Sequence, residues 1–351
     1  MKKIFIFYPN IFPIYNGASV HGYNLIKELS KNKYKIITIK QKKSQYYEVA
    51  NYKNIIELHR ALSDCDYIYY RVPLNNVTKF ERFLSLFPKS KKILEVNAPV
   101  EELISEHGLK SIPKGYRKIY SWKIRQAKYY VVVSIILKDY LVNKWNVTED
   151  KIIVAPNGCN PDYFSKNYKG KTFLNKIKKT KVFWAGNPSV GFQDVENIYA
   201  IAESFQHRED IVFIFGGLSN VDSTYSNVIT LPKLNYSEVY KYINDSDILL
   251  AFYGDYKWSD IGFYGSSLKF FEYMASGNPV IAPRKGQIAE ISTHLEDAYL
   301  YDTREEIIKG IEVLAKDHSL RENIGKNGAK LVKTNYTWEK SVKGIIDLLE
   351  N

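Results

Sequence analysis

Long apolar runs are missing from this 351-residue chain: none approaches the roughly 18 residues that mark a membrane-spanning helix. Cysteine is scarce as well. Cys65 and Cys159 stand far apart without metal-ligand spacing, which argues against both a disulfide framework and a zinc site. Two lone thiols fit a reducing compartment, and the cytoplasm is the expected location. The opening Met-Lys-Lys and its short apolar strand fall short of a signal peptide. Neither a G-x-G-x-x-G fingerprint nor a G-x-x-x-x-G-K-[ST] loop occurs, so dinucleotide and ATP sites of those kinds are unsupported. Internal repeats and low-complexity stretches are also absent. Acidic residues are thin in one half only. Residues 1–170 hold about 29 Lys/Arg against about 14 Asp/Glu, whereas the rest is nearly balanced, within a net charge of +12. That asymmetry suits an anionic partner such as lipid headgroups, a phosphorylated lipid carrier or nucleic acid. A genome rich in lysine and tyrosine codons gives the same excess without function.

What is present is an ordinary globular composition, 45 % hydrophobic and 25 % charged. The length suits two domains of about 150–180 residues each. Short, continuous apolar strands alternate with amphipathic helices. In the first half, strands are expected at 3–8, 36–39, 66–70, 92–96, 129–134 and 152–155. Helices are expected at 19–31, 79–86, 116–127 and 137–144. Such strands are buried on both faces, as in parallel sheets. The expected class is α/β, with two doubly wound Rossmann-like domains whose strand-end crevices face each other. Residues 156–180 interrupt the rhythm with Pro156-Asn157-Gly158, Pro161 and a lysine-rich segment. They set the expected divisions: an N-terminal domain 1–160, a linker 161–180, a second domain 181–335 and a terminal helix 336–351.

The most informative stretch is 265–283, Gly-Ser-Ser-Leu-Lys-Phe-Phe-Glu-Tyr-Met-Ala-Ser-Gly-Asn-Pro-Val-Ile-Ala-Pro. It reads as a loop, a two-turn helix, a glycine stop and a buried strand. The first N–H groups of a helix have no internal partner, and the helix dipole adds positive charge there. A diphosphate is therefore welcome beside Gly265, Ser266, Ser267 and Leu268. Lys269 in the first turn suits the same phosphates. The Glu272 carboxylate can accept hydrogen bonds from ribose hydroxyls. Together they suggest a nucleoside diphosphate site, although a plain helix–strand unit has the same outline.

Several blocks, in order along nearly the whole chain, resemble the GT-B glycosyltransferases, in particular family 4. Leu94-Glu95-Val96-Asn97-Ala98-Pro99 resembles an "E-x-N-A-P" loop. Val131-Val132-Val133-Ser134 with Leu137-Lys138-Asp139 resembles a strand and "S-x-x-L-K-D" helix start. Lys151–Gly158 with Asn160, Asp162 and Phe164 resembles the "P-N-G" inter-domain segment, and Ser267–Pro283 resembles "K-x-x-E-Y-M-A-x-G-x-P-V". The resemblance implies an acceptor domain followed by a nucleotide-sugar domain, with the last helix crossing back to the first. It also implies transfer of a sugar from a nucleoside diphosphate to a hydroxyl of a glycan or lipid-linked acceptor. The expected route is retaining and needs no metal or other cofactor, in cell-surface polysaccharide or glycolipid synthesis. Two departures stand out. Tyr264 occupies the position where the family carries a first Glu, and the loop Gly186-Asn187-Pro188-Ser189-Val190-Gly191 lacks the usual cations.

On this basis Lys269 and Glu272 are the expected catalytic pair. Gly17, Ala18, Gly186, Leu234, Tyr264, Gly265, Ser266, Ser267 and Leu268 are the expected donor-binding residues. His21, Arg71, Glu95 and Asn97 are the expected acceptor-binding residues, and no residue is assigned to a metal. If transfer inverts, Glu95 or Glu101 is the first carboxylate to test as base. Residues 110–130 interleave Lys and Arg with Tyr and Trp. They suit either an anionic membrane surface, which implies peripheral attachment to the inner face, or a solvated helix face. Nucleic acid is disfavoured, since no recognised binding module contains these residues. Two rivals stay in view. One is a non-catalytic GT-B subunit that binds nucleotide or a partner enzyme. The other is a nucleotide-sugar epimerase, which lacks a clear acid–base pair here.

Overall fold

A computed structural model describes residues 1–8, 11, 17–39, 42–50, 52–71, 73–74, 76–165, 171–188, 193–218 and 225–350. It divides into two units. The N-terminal unit is Met1–Asn157 with Trp258–Ser266 and Trp338–Asn351, and the C-terminal unit is Gly158–Lys257 with Ser267–Thr337.

The N-terminal unit is built on seven parallel strands: β1 Lys3–Phe7, β2 Lys35–Thr38, β3 Glu48–Val49, β4 Tyr67–Arg71, β5 Lys92–Val96, β6 Tyr129–Val132 and β7 Ile152–Val154. Their order is β3-β2-β1-β4-β5-β6-β7. The chain reverses direction across the sheet between β1 and β4, where open α/β sheets bind ligands outside the strand ends. Tyr8, Arg71, Glu95 and Asn97 lie at those ends. The terminal helix Trp338–Glu350 packs in this unit, with Val342, Ile345 and Leu349 joining Ile4, Ile6, Leu25 and Ile36 in one core. Every residue of β5 is buried, Lys92 and Glu95 included. Both charges are held by partners: the Lys92 ammonium donates to the Leu84 carbonyl at 3.0 Å, and Glu95 is bound by the groups described below.

The C-terminal unit has six parallel strands: β8 Thr180–Ala185, β9 Ile211–Gly216, β10 Val228–Leu231, β11 Ile248–Leu250, β12 Val280–Pro283 and β13 Tyr299–Tyr301, in the order β10-β9-β8-β11-β12-β13. Its switch point falls between β8 and β11. Its core sets aromatic residues, including Trp184, Phe205, Phe213, Phe215 and Tyr301, among a larger number of aliphatic ones such as Ile198, Ile211 and Ile281. Part of the lysine-rich segment, 166–170, lies outside the described residues. Beyond it, Leu174 is fully buried, and Thr172 donates to the Asp245 carboxylate through its hydroxyl at 2.7 Å, which fixes the approach to β8.

Sequence periodicity locates most elements within two or three residues and misses others. The two-residue β3 is too short to show a pattern, and the three-residue β13 also went unread. The helix Ile55–Ser63 was hidden because Ile55 and Ile56 are exposed, so its apolar residues do not form one buried stripe.

Candidate active site

Two clusters of polar side chains stand at strand ends, one in each unit. In the C-terminal unit the helix Leu268–Ala275 is entered through Ser267, whose hydroxyl accepts from the Phe270 amide at 3.0 Å. The Tyr253 hydroxyl, just beyond β11, bonds the same Ser267 oxygen. This double tie fixes the direction of the helix mouth. Lys269 points back along the helix, as first-turn side chains do. Its ammonium lies 4.9 Å from the Trp184 ring centre and 5.2 Å from that of Tyr253. It donates to the Gln193 side-chain oxygen at 3.0 Å. Burial against these rings presses Lys269 down to about 7, and the Glu272 carboxylate one turn on counters part of that. The side chain is only half-buried, so solvent moderates the effect.

Glu272 is itself buried, which raises its carboxyl to about 7. A hydrogen bond of 2.7 Å from the Tyr236 hydroxyl and the charge of Lys269 oppose that rise. Gly186 follows β8 directly. A Cβ there would lie 2.4 Å from the Trp184 ring and 2.6 Å from Gln193 Oε1. Gly217 has φ +96°, and a Cβ on it would lie 2.2 Å from the Gly186 carbonyl oxygen. Two glycines therefore let the ends of β8 and β9 close on each other beside Lys269. Leu234 is half-buried against Gly216 in the same unit. The arrangement can hold an anion at Lys269 and the helix mouth, and a hydroxylated ring at Glu272. Ser189, Val190 and Gly191 lie outside the described residues. Arg284, which follows β12, is turned to Asp302 at 3.0 Å.

In the N-terminal unit Glu95 is the hub. It accepts from the Tyr69 hydroxyl at 2.6 Å, from the Tyr8 hydroxyl at 3.0 Å and from the Asn97 amide. His21 Nε2 stands 3.5 Å from it and an Arg71 nitrogen 3.6 Å. Burial alone would raise this carboxyl, yet His21, Arg71 and Tyr69 together hold it at about 2. A carboxylate so fixed is a structural anion and a weak base. Glu101 is equally committed, accepting from the Tyr140 hydroxyl at 2.9 Å with Arg117 3.4 Å away. His21 Nδ1 lies 2.6 Å from Asn157 Oδ1. The Asn157 amide donates to the Ser266 carbonyl, so its oxygen faces the ring and Nδ1 carries the proton. Tyr264, Gly265 and Ser266 thus belong to the N-terminal unit, while Ser267 and Leu268 belong to the C-terminal one. Gly17 and Ala18 are the first two residues of the helix Gly17–Lys31, Gly17 exposed and Ala18 half-buried.

Arg71, Glu95, Asn97 and Glu102 also line a cavity of about 360 Å³ with Leu94 and Tyr120. Glu102 did not emerge from the sequence. Burial and the like charge of Glu106 raise it to about 7, opposed by Arg71 and by a hydrogen bond from Tyr264. The Glu102–Glu106 spacing of one helical turn was its available signal. Tyr236, Tyr253 and Trp184 were missed because 29 tyrosines and 5 tryptophans in the chain blur any single one.

Residues 198–347 match a family described as glycosyl transferase-like. An uncharacterized glycosyltransferase of Methanocaldococcus jannaschii, MJ1607, is 24 % identical over 238 residues, covering 62 % of this chain and 58 % of that relative. The matched part therefore spans about three fifths of the relative's length. Among solved structures, a glycosyltransferase from Rickettsia africae superposes with a TM-score of 0.71 at 15 % identity, covering 99 % of this chain and 98 % of the other. Alr3699/HepE of Anabaena, solved in complex with UDP, gives 0.67 at 12 % identity over 100 % of both chains. The chain has the fold of the GT-B glycosyltransferases, and its residues 198–347 are similar to the glycosyl transferase-like family.

Proposed function

We propose that this protein transfers a sugar from a nucleoside-diphosphate sugar to a hydroxyl of a glycan or lipid-linked acceptor. The observation that carries the reading is the grouping of Lys269, Glu272 and the Ser267-capped helix mouth at the switch point of the C-terminal sheet. Departure of a nucleoside diphosphate concentrates negative charge on its phosphates, and a fixed cation lowers that barrier electrostatically. Lys269 takes this role, with amides of Ser267 and Leu268 beside it. Glu272 holds the ribose. UDP bound to the Anabaena relative supports a uridine nucleotide as the first to try. The N-terminal cavity takes the acceptor, with Arg71, Asn97 and Glu102 at its polar rim.

In this reading the route is retaining, with the leaving diphosphate assisting on the face where the acceptor hydroxyl enters. Because Lys269 supplies the positive charge, turnover is expected to persist in excess EDTA; loss of turnover on chelation would contradict this. The excess of Lys and Arg in residues 1–170 supports peripheral attachment to an anionic membrane face in cell-surface polysaccharide or glycolipid synthesis. A thermal-shift panel of nucleoside diphosphates and nucleotide sugars tests the donor assignment. Stabilisation by one base series is expected, and no shift with any would contradict it.

A further inference from the structure

Glu272 needs a fixed orientation to meet two ribose hydroxyls, and a helix alone does not give it one. One oxygen of its carboxylate accepts from the Tyr236 hydroxyl at 2.7 Å. Tyr236 is the first residue of the helix Tyr236–Asn244, whose N-cap Asn235 makes no side-chain cap. Its ring is held between two neighbours from the short helix Pro161–Phe164. It lies stacked on Tyr163, with ring centres 6.4 Å apart and an interplanar angle of 18°, and edge-on to Phe164 at 6.2 Å. The hydroxyl is thereby aimed at one place. Among the described residues no other hydrogen bond reaches the Glu272 side chain, which leaves its second oxygen open for a ligand donor.

Resting on the proposed donor site, we infer that Tyr236 is a positioning residue that presents Glu272 to the ribose and so sets the preference for ribonucleotides over deoxyribonucleotides. The chemistry is simple. A carboxylate bound at one oxygen by a phenol keeps its other lone pairs directed outward, and a ribose 2′-hydroxyl supplies the missing donor. Among the described residues, the groups that feel or influence the Glu272 charge are Lys269 on its own helix, Tyr236 from the helix Tyr236–Asn244, Cys159 from the segment before Pro161, and Tyr253 and Tyr273. Of these only Tyr236 donates a hydrogen bond to it. That bond opposes the rise of the Glu272 carboxyl toward 7. Without it the carboxyl takes up a proton at higher pH and stops accepting from ribose.

The test is calorimetric binding of UDP and 2′-deoxy-UDP to the wild-type protein, Tyr236→Phe and Glu272→Gln, from pH 6 to pH 9. ADP and GDP with their deoxy forms replace the uridine pair if UDP does not bind. Wild type is expected to prefer the ribonucleotide. In Tyr236→Phe the preference is expected to shrink about fivefold or more at pH 7 and to recover partly at pH 9, while Glu272→Gln loses it at every pH. A Tyr236→Phe protein with the wild-type preference and pH profile would overturn the inference and leave the donor site standing. A wild-type protein that binds no nucleoside diphosphate would overturn both.

Discussion

At the scale of single residues Lys269 stands out, because its surroundings make it a poorly satisfied cation. Two aromatic faces and one amide oxygen are weak substitutes for water. Its folded value of about 7 lies below the ordinary 10.5, so between these limits the folded protein holds fewer protons than the unfolded chain. A diphosphate beside the ammonium reverses that. Binding of a nucleoside diphosphate at pH 8 is therefore expected to take up protons, seen as a dependence of the calorimetric enthalpy on buffer ionisation enthalpy. Equal enthalpies in all buffers would contradict it. Gly186 gives a stability test. The Cβ of Gly186→Ala would press into the buried Trp184 ring, and about 1–3 kcal/mol of stability should be lost in denaturant unfolding. Lys269 and Glu272 were legible in the sequence because their spacing sits inside a capped helix with a glycine stop. Glu102 and Tyr236 were not, since their meaning depends on partners far away in the chain.

Among elements, the helix Leu268–Ala275 and the strand β5 show what position adds to composition. Ser267 was readable as a cap from sequence, but its bond with Tyr253 was not. Ser267→Ala removes both, and a loss of about 1–2 kcal/mol is expected, larger than a lone cap at a solvent-exposed helix. A loss of only about 0.5–1 kcal/mol, that of the cap alone, would mean the Tyr253 tie is idle. In β5 the sequence placed Glu95 at a strand end and left its role open between acceptor contact and base. Its many partners answer the chemical part of that question: held at about 2 instead of 4.5, it remains charged under all ordinary conditions. The sign follows from linkage. A carboxyl with a depressed folded value contributes stability that is complete above its unfolded value and is lost as pH falls from about 4.5 toward 2. Glu95→Gln is expected to flatten the fall of stability between pH 5 and pH 3. An unchanged slope would contradict the assignment.

For the whole molecule, alternating strands and helices disclosed two doubly wound sheets, because buried parallel strands leave continuous apolar runs in sequence. What stayed hidden includes the short β3 and β13, the helix Ile55–Ser63, and the assignment of 258–266 to the N-terminal unit, which depends on long-range contacts such as Ser134 to Tyr264 and Asn157 to Ser266. The charge asymmetry also belongs to this scale. If the basic half meets a membrane, the protein should sediment with vesicles rich in anionic lipid and be released by 0.5 M salt, as screening requires (about 4 Å at that ionic strength). Equal sedimentation with neutral vesicles would contradict it. Titration calorimetry with UDP, ADP and GDP against wild type and Lys269→Ala tests the proposed nucleoside diphosphate site most directly. One nucleotide series should bind wild type at a single site and bind Lys269→Ala at least tenfold more weakly, with the far-ultraviolet circular dichroism unchanged. Equal affinity of the two proteins would contradict the account.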